Sequence, residues 1–378
     1  MKTAIINTTL VMPDHLIPKA SVIIEDGVIV AFGKKLSTEG CEIIDAKGGY
    51  TGPGLIDIHT HADGETIFTD DAIKASKTLL MHGVTDVMPA LYFSATKDEL
   101  VSQIKYIKSI MKSGEAKNII GLYMEAPYLN PKFGCNRENN PWKGDIKKED
   151  YIELVEAVGD SARVWGIAPE RENIEDFVKD VLKINPKAIF SVAHSEADPY
   201  QIQKLKKYGL KLATHHTNAT GTLNKYPEVR GVCVDEAVWY NDDIYAELIC
   251  DKVGIHVDPY MLRLVKKITG EDKIILISDA YVSDGPVPPG YDGVDDIGFD
   301  KMGEIAGSKI VLANACRNMM YHTGSSICQV FKFASTNPAK MLGLEDRGEI
   351  GIGKLANLIM TDALFDVKHV FLKGNQIR

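Results

Sequence analysis

Between residues 54 and 279, short apolar runs alternate with amphipathic stretches, which restricts this chain to an α/β fold with a parallel sheet. The expected strands are Gly54–His59, Val84–Ala90, Ile119–Glu125, Val164–Ala168, Ala188–His194, Leu210–His215, Leu248–His256 and Lys273–Asp279. Helical patterns lie between them at Thr96–Lys112, Ile174–Ile184, Pro199–Tyr208 and Pro259–Thr269, the first opened by a Thr96-x-x-Glu99 capping box. Eight strands alternating with helices predict a TIM-like (β/α)8 barrel. A doubly wound open sheet would place Gly-x-Gly-x-x-Gly after its first strand, and that motif is missing.

The two ends of the chain read differently. Val22–Val30 sets Asp26-Gly27 between β-branched runs, a hairpin signal, and Ala356–Met360 and Val370–Leu372 repeat the style. The expectation is a barrel over residues 52–345 and a small β-sandwich domain built from both termini, 1–51 and 346–378. A net charge of −9 leaves no basic surplus to displace counterions, which excludes a nucleic-acid partner. No apolar run approaches the roughly 20 residues of a membrane span, and the first residues turn polar too soon for a signal peptide, so a cytoplasmic protein is expected. Six scattered cysteines form no Cys-x-x-Cys pair, consistent with buried thiols in a reducing compartment.

Barrel active sites lie at the C-terminal ends of the strands, and there the chemistry converges. The first strand ends in His59-Thr60-His61, whose histidines share one side because they are two residues apart. The third ends in Glu125, the fifth in His194, the sixth in His215 and the eighth in Asp279. These six are candidate ligands for one or two divalent ions: zinc, iron, manganese or cobalt. Such an ion makes water nucleophilic near neutral pH and polarises a carbonyl, which suits hydrolysis of an unreactive amide. Asp279 is then the group to move a proton from water to the leaving nitrogen. His216 should point away from His215 and serve packing, while His82 precedes Gly83 at a helix end and serves the helix terminus.

Pro53-Gly54-Leu55-Ile56-Asp57-Ile58-His59-Thr60-His61 resembles the opening signature of the amidohydrolase superfamily. The resemblance narrows to the N-acetylglucosamine-6-phosphate deacetylase family through Glu125-Ala126-Pro127-Tyr128-Leu129-Asn130, Ala168-Pro169-Glu170, Thr214-His215-His216-Thr217-Asn218-Ala219, Gly254-Ile255-His256-Val257 and Asp279-Ala280. It implies Glu125, His194 and His215 around one ion, and His59, His61 and Glu125 around a second. It also implies a homodimer, an amino-sugar substrate, and Asn218, Ala219 and His256 near that substrate. Two positions depart from the family pattern. Asn136 stands where a carbonyl-polarising His is expected, and Tyr226 where an Arg grips the 6-phosphate, with Lys225 or Arg230 as the cations nearest to hand.

The expected reaction is removal of acetate from an N-acetyl amino sugar, N-acetylglucosamine 6-phosphate first; another N-acyl metabolite is the alternative. Dihydroorotase-like chemistry would need a Lys on the fourth strand, and Val164–Ala168 has none. A non-catalytic sugar-binding protein would be expected to lose catalytic ligands, yet Asp279 is present.

Overall fold

The computed structural model describes residues 2–221 and 224–378, with the side chains of Asn224 and Lys225 outside that description. Eight parallel strands form one sheet: β1 (Leu55–Thr60), β2 (Val84–Tyr92), β3 (Leu122–Glu125), β4 (Ala162–Ile167), β5 (Ile189–Val192), β6 (Leu210–Ala213), β7 (Tyr245–Ile249) and β8 (Ile274–Ile277). Each pairs with the next in sequence order. The sheet curls until its ends meet, where the Asp279 N–H donates to the His59 carbonyl and the His61 N–H to the Ala280 carbonyl, both at 3.0 Å. Asp57 ties the same seam. Its carboxylate accepts from the Ser278 hydroxyl at 2.6 Å, and burial pushes its pKa up to about 7.

A helix follows every strand: Ala72–Met81, Lys97–Ser113, Lys148–Val158, Ile174–Ile184, Pro199–Lys206, Val234–Tyr240, Pro259–Thr269 and Leu312–Thr323. The expected capping box forms, with Glu99 and Thr96 bonding reciprocally. His82 caps the first helix, its N–H reaching back to the Leu79 carbonyl. Strands such as β1, β2 and β8 are buried on both faces, so their sequences read as near-continuous apolar runs.

Three expected strands overshoot. His194, His215 and Asp279 lie two residues beyond β5, β6 and β8, at φ of 41°, 27° and 44°. The chain leaves the sheet at these residues through left-handed backbone, which disfavours a side chain bearing Cβ. The seventh strand is also shifted: it is Tyr245–Ile249 rather than Leu248–His256. The reason is Asp251, whose carboxylate accepts from the N–H groups of Val253, Gly254, Ile255 and His256 and folds that stretch into a loop.

Both termini build a second eight-stranded sheet, in which Tyr50–Pro53 pairs with Lys2–Val11 and with Leu358–Thr361. The Asp26-Gly27 turn joins Leu16–Glu25 to Val28–Gly33, both turn residues at positive φ. A separate core including Ile5, Leu10, Val22, Ile24, Leu358 and Phe371 fills this unit.

Barrel and terminal sheet meet around Asp86, a buried carboxylate on β2. It pairs with Arg347 and accepts from Asn357 at 3.1 Å and Thr85 at 2.9 Å. Removing one partner of a buried pair strands the other charge, whereas replacing both with uncharged side chains leaves no charge stranded. Arg347→Ala is therefore expected to destabilise the protein by about 3–5 kcal/mol in denaturant unfolding, and the double change Asp86→Asn/Arg347→Met by clearly less.

Candidate active site and metal centre

Glu125, at the tip of β3, is 2% exposed and faces four imidazoles. Its Oε1 lies 2.7 Å from His194 Nε2 and 3.2 Å from His215 Nε2. Its Oε2 lies 3.1 Å from His61 Nε2 and 3.6 Å from His59 Nε2. On the far side of the His59–His61 pair, Asp279 Oδ1 stands 3.4 Å from His61 Nε2 and 3.7 Å from His59 Nε2. Two sets of potential ligands result, Glu125/His194/His215 and His59/His61/Asp279, each with ligand atoms within 4.8 Å of one another. All six residues singled out from the strand ends are thus brought to one place.

Local structure aims each side chain. Glycine at 307 has φ of 66°, and a Cβ there would sit 2.6 Å from the Asp279 carbonyl oxygen. That close approach lets the Ser308 N–H donate to the Asp279 carbonyl at 2.9 Å and fixes the turn carrying the carboxylate. Tyr123 stacks on His59 at 4.2 Å, its hydroxyl locked on Thr214 Oγ1 at 2.7 Å.

The electrostatics call for a cation. Burial would raise the Glu125 carboxyl, but the imidazoles of His194, His215, His59 and His61 gathered around it hold it well below its usual range. Burial likewise opposes charge on His61, yet Asp279 and Glu125 pull that imidazole up to about 9. Among the described residues, His59 Nε2 and Glu125 Oε2 have no hydrogen-bond partner although both are buried. Bare imidazole nitrogens and carboxylate oxygens converging on shared points are the donor set of a divalent zinc-like ion, so these residues fit one.

The site opens into a cavity of about 610 Å3, ample for a monosaccharide. Asn136, Asn218, Ala219 and His256 are among the residues that line it. Asn136 lies at φ of 56° and its Oδ1 accepts from Asn139 Nδ2. His256 Nδ1 meets Asp251 Oδ2 at 3.2 Å, while its buried Nε2 has no partner among the described residues. Tyr226 does not join the cavity. It is 66% exposed in a short hairpin of Asn224–Tyr226 with Val229–Arg230, where Arg230 pairs with Glu236. Lys225, the other cation considered, has its side chain outside the described residues. His216 packs edge-on to Trp239 away from the cluster, and burial drops its pKa to about 3.

Sequence reasoning misses Glu247 and Asp251. A Glu inside the apolar run Ile244–Cys250 is a legible signal, since an unpaired buried charge is costly.

A closed α/β barrel with a paired histidine–carboxylate cluster at its strand tips defines a class, the hydrolases that carry their chemistry on the C-terminal face. A family model described as the Amidohydrolase family matches residues 51–377, and the chain belongs to that family. It is 25% identical to an N-acetylglucosamine-6-phosphate deacetylase of Bacillus subtilis, over 85% of this chain and 83% of that one. It is also 25% identical to an N-acetylgalactosamine-6-phosphate deacetylase of Escherichia coli O157:H7, over 85% and 86%. Among solved structures, a mutant N-acetyl-D-glucosamine-6-phosphate deacetylase from Mycobacterium smegmatis, in complex with N-acetyl-D-glucosamine-6-phosphate, superposes with a TM-score of 0.84. The identity is 22%, and the match covers 100% of this chain and 99% of that one.

Asp251 generates a test of how the His256 loop is held. Burial would raise its carboxyl, but hydrogen bonds from His256 and the loop N–H groups win and leave it at about 2. A depressed folded-state pKa means its stabilisation is present above the unfolded value near 4 and lost as pH falls through about 2. Asp251→Ala is expected to cost about 1.5–3 kcal/mol at pH 7. The gap from the unsubstituted protein should narrow when unfolding is measured at about pH 3.

Proposed function

We propose that this protein hydrolyses the acetamide of an N-acetyl amino sugar, with N-acetylglucosamine 6-phosphate the first substrate, releasing acetate and the free amine. The observation that carries this reading is Glu125 offering one oxygen to each histidine pair, with Asp279 beside them at the floor of a sugar-sized cavity. Glu125, His194 and His215 would hold one divalent ion, and His59 and His61, next to Glu125 and Asp279, would hold a second. Such an ion, when bound, supplies Lewis-acid polarisation of the amide carbonyl and makes water nucleophilic at neutral pH.

The chain's own groups do the rest. Asp279 takes a proton from the attacking water and returns it to the amide nitrogen as the C–N bond breaks. His256, with Nδ1 turned to Asp251, directs Nε2 at the substrate. Asn136 offers its amide to the developing oxyanion, and Asn218 and Ala219 contact the sugar. A cytoplasmic homodimer, and a barrel of residues 52–345 borne on a domain from both termini, belong to the same reading.

A second reading, an unphosphorylated N-acyl amino sugar, is favoured by the cavity mouth. Glu138, Asp284, Asp300 and Glu304 line it, and Glu304 engages Arg137 through both carboxylate oxygens. That bidentate pair occupies the guanidinium that would otherwise meet a phosphate.

Amine release from N-acetylglucosamine with and without the 6-phosphate separates the two readings, and activity on neither would overturn both. Asp279→Asn should lower kcat by about 10²–10⁴-fold while substrate still binds. Full activity in that variant would remove Asp279 from the proton path. Prolonged chelation should abolish turnover and divalent zinc restore it; turnover unaffected by chelation would contradict the metal-dependent reading.

A further inference from the structure

We propose that Glu247 is the positioning residue for His59, holding that imidazole in the tautomer that presents a bare Nε2 to Glu125 and Asp279. The proposal rests on the metal-dependent reading above and names a residue outside its ligand set.

Glu247 sits in the middle of β7 and is completely buried. Among the described residues its carboxylate receives two donors, both at Oε2: His59 Nδ1 at 3.1 Å and the His215 backbone N–H at 3.2 Å. Oε1 has no partner. No lysine or arginine pairs with it among the described residues, so the charge is answered only through His59. A carboxylate in this environment is a poor choice for packing, because glutamine or leucine would fill the space without desolvating a charge. Its value lies in what it does to the ring.

The four imidazoles are backed unequally. His61 Nδ1 meets the Ala90 backbone carbonyl at 3.1 Å, a neutral acceptor. The Nδ1 atoms of His194 and His215 have no partner among the described residues. Of these four, His59 alone has a carboxylate at its outer nitrogen, an acceptor that would hold the proton on Nδ1 and leave the Nε2 lone pair to an ion. A carboxylate behind a ligating histidine fixes tautomer and orientation and raises ligand basicity. Tyr123, stacked on the ring at an interplanar angle of 19°, limits tilting but cannot choose between the two flips of the ring; the hydrogen bond to Glu247 does. The same Oε2 also accepts from the His215 backbone N–H, a contact that a glutamine oxygen at this position would keep.

The test is zinc binding rather than turnover. Metal-free protein, Glu247→Gln and Glu247→Asp are titrated with Zn2+ against a competing chelator, and the melting temperature of each metal-free form is recorded. Glutamine keeps an acceptor but loses the charge; aspartate keeps the charge but withdraws it. In Glu247→Gln, one uptake step should weaken by about 10–100-fold and the other stay unchanged. Glu247→Asp should weaken the same step by less, and it carries the comparison alone if the glutamine variant does not fold. Unaltered affinity at every step, or equal weakening at all of them, overturns the proposal, because a purely structural role would lower the melting temperature without singling out one step. Absence of zinc uptake by the unsubstituted protein would instead overturn the metal-dependent reading, and this proposal with it.

Discussion

A single buried carboxylate, Glu125, facing four imidazoles is the interaction on which the rest of the structure depends. Alone in a barrel interior that charge would be prohibitive, and its two oxygens are tolerated because each faces a separate pair of imidazole nitrogens. The residues around it come from positions as far apart as His59 and Asp279, so they meet only when the eighth strand closes on the first. The seam bonds of His59, His61, Asp57 and Ser278 are therefore as much a part of the site as the ligands themselves. Fold and chemistry share one condition, closure of the sheet.

Much of this is legible in the chain. Two helices, Ile174–Ile184 and Pro259–Thr269, have the bounds their periodicity implies, and the six strand-end histidines and carboxylates converge. Periodicity works here because barrel strands are buried on both faces and helices on one. It fails where side chains rather than hydrophobicity set the chain path. Asp251 collects loop N–H groups and ends β7 early, so His256 reaches the cavity from a loop instead of a strand tip. A strand drawn three residues late leaves Glu247 outside it, where it reads as an ordinary polar residue. The left-handed backbone at His194, His215 and Asp279 carries no hydrophobic signature either, because non-glycine residues enter that region only under tertiary constraint.

The cavity mouth is where the structure departs from what the family resemblance implies. Tyr226, expected from the family resemblance near the substrate, faces solvent instead, and Arg137 at the mouth is engaged by Glu304. The histidine–carboxylate cluster sits on strand tips, whereas the mouth carries loop residues of both signs, Arg137 and Lys301 beside Glu138, Asp284, Asp300 and Glu304. A barrel permits this, because ligands sit on strand tips while the mouth is built from loops that vary without disturbing the sheet.

Zinc-edge anomalous diffraction from zinc-loaded crystals tests the central claim, that Glu125 lies between two cation sites, most directly. The account predicts two anomalous peaks flanking that carboxylate, one beside His194 and His215 and the other beside His59 and His61. Peaks remote from Glu125, or none within the barrel mouth, would contradict it.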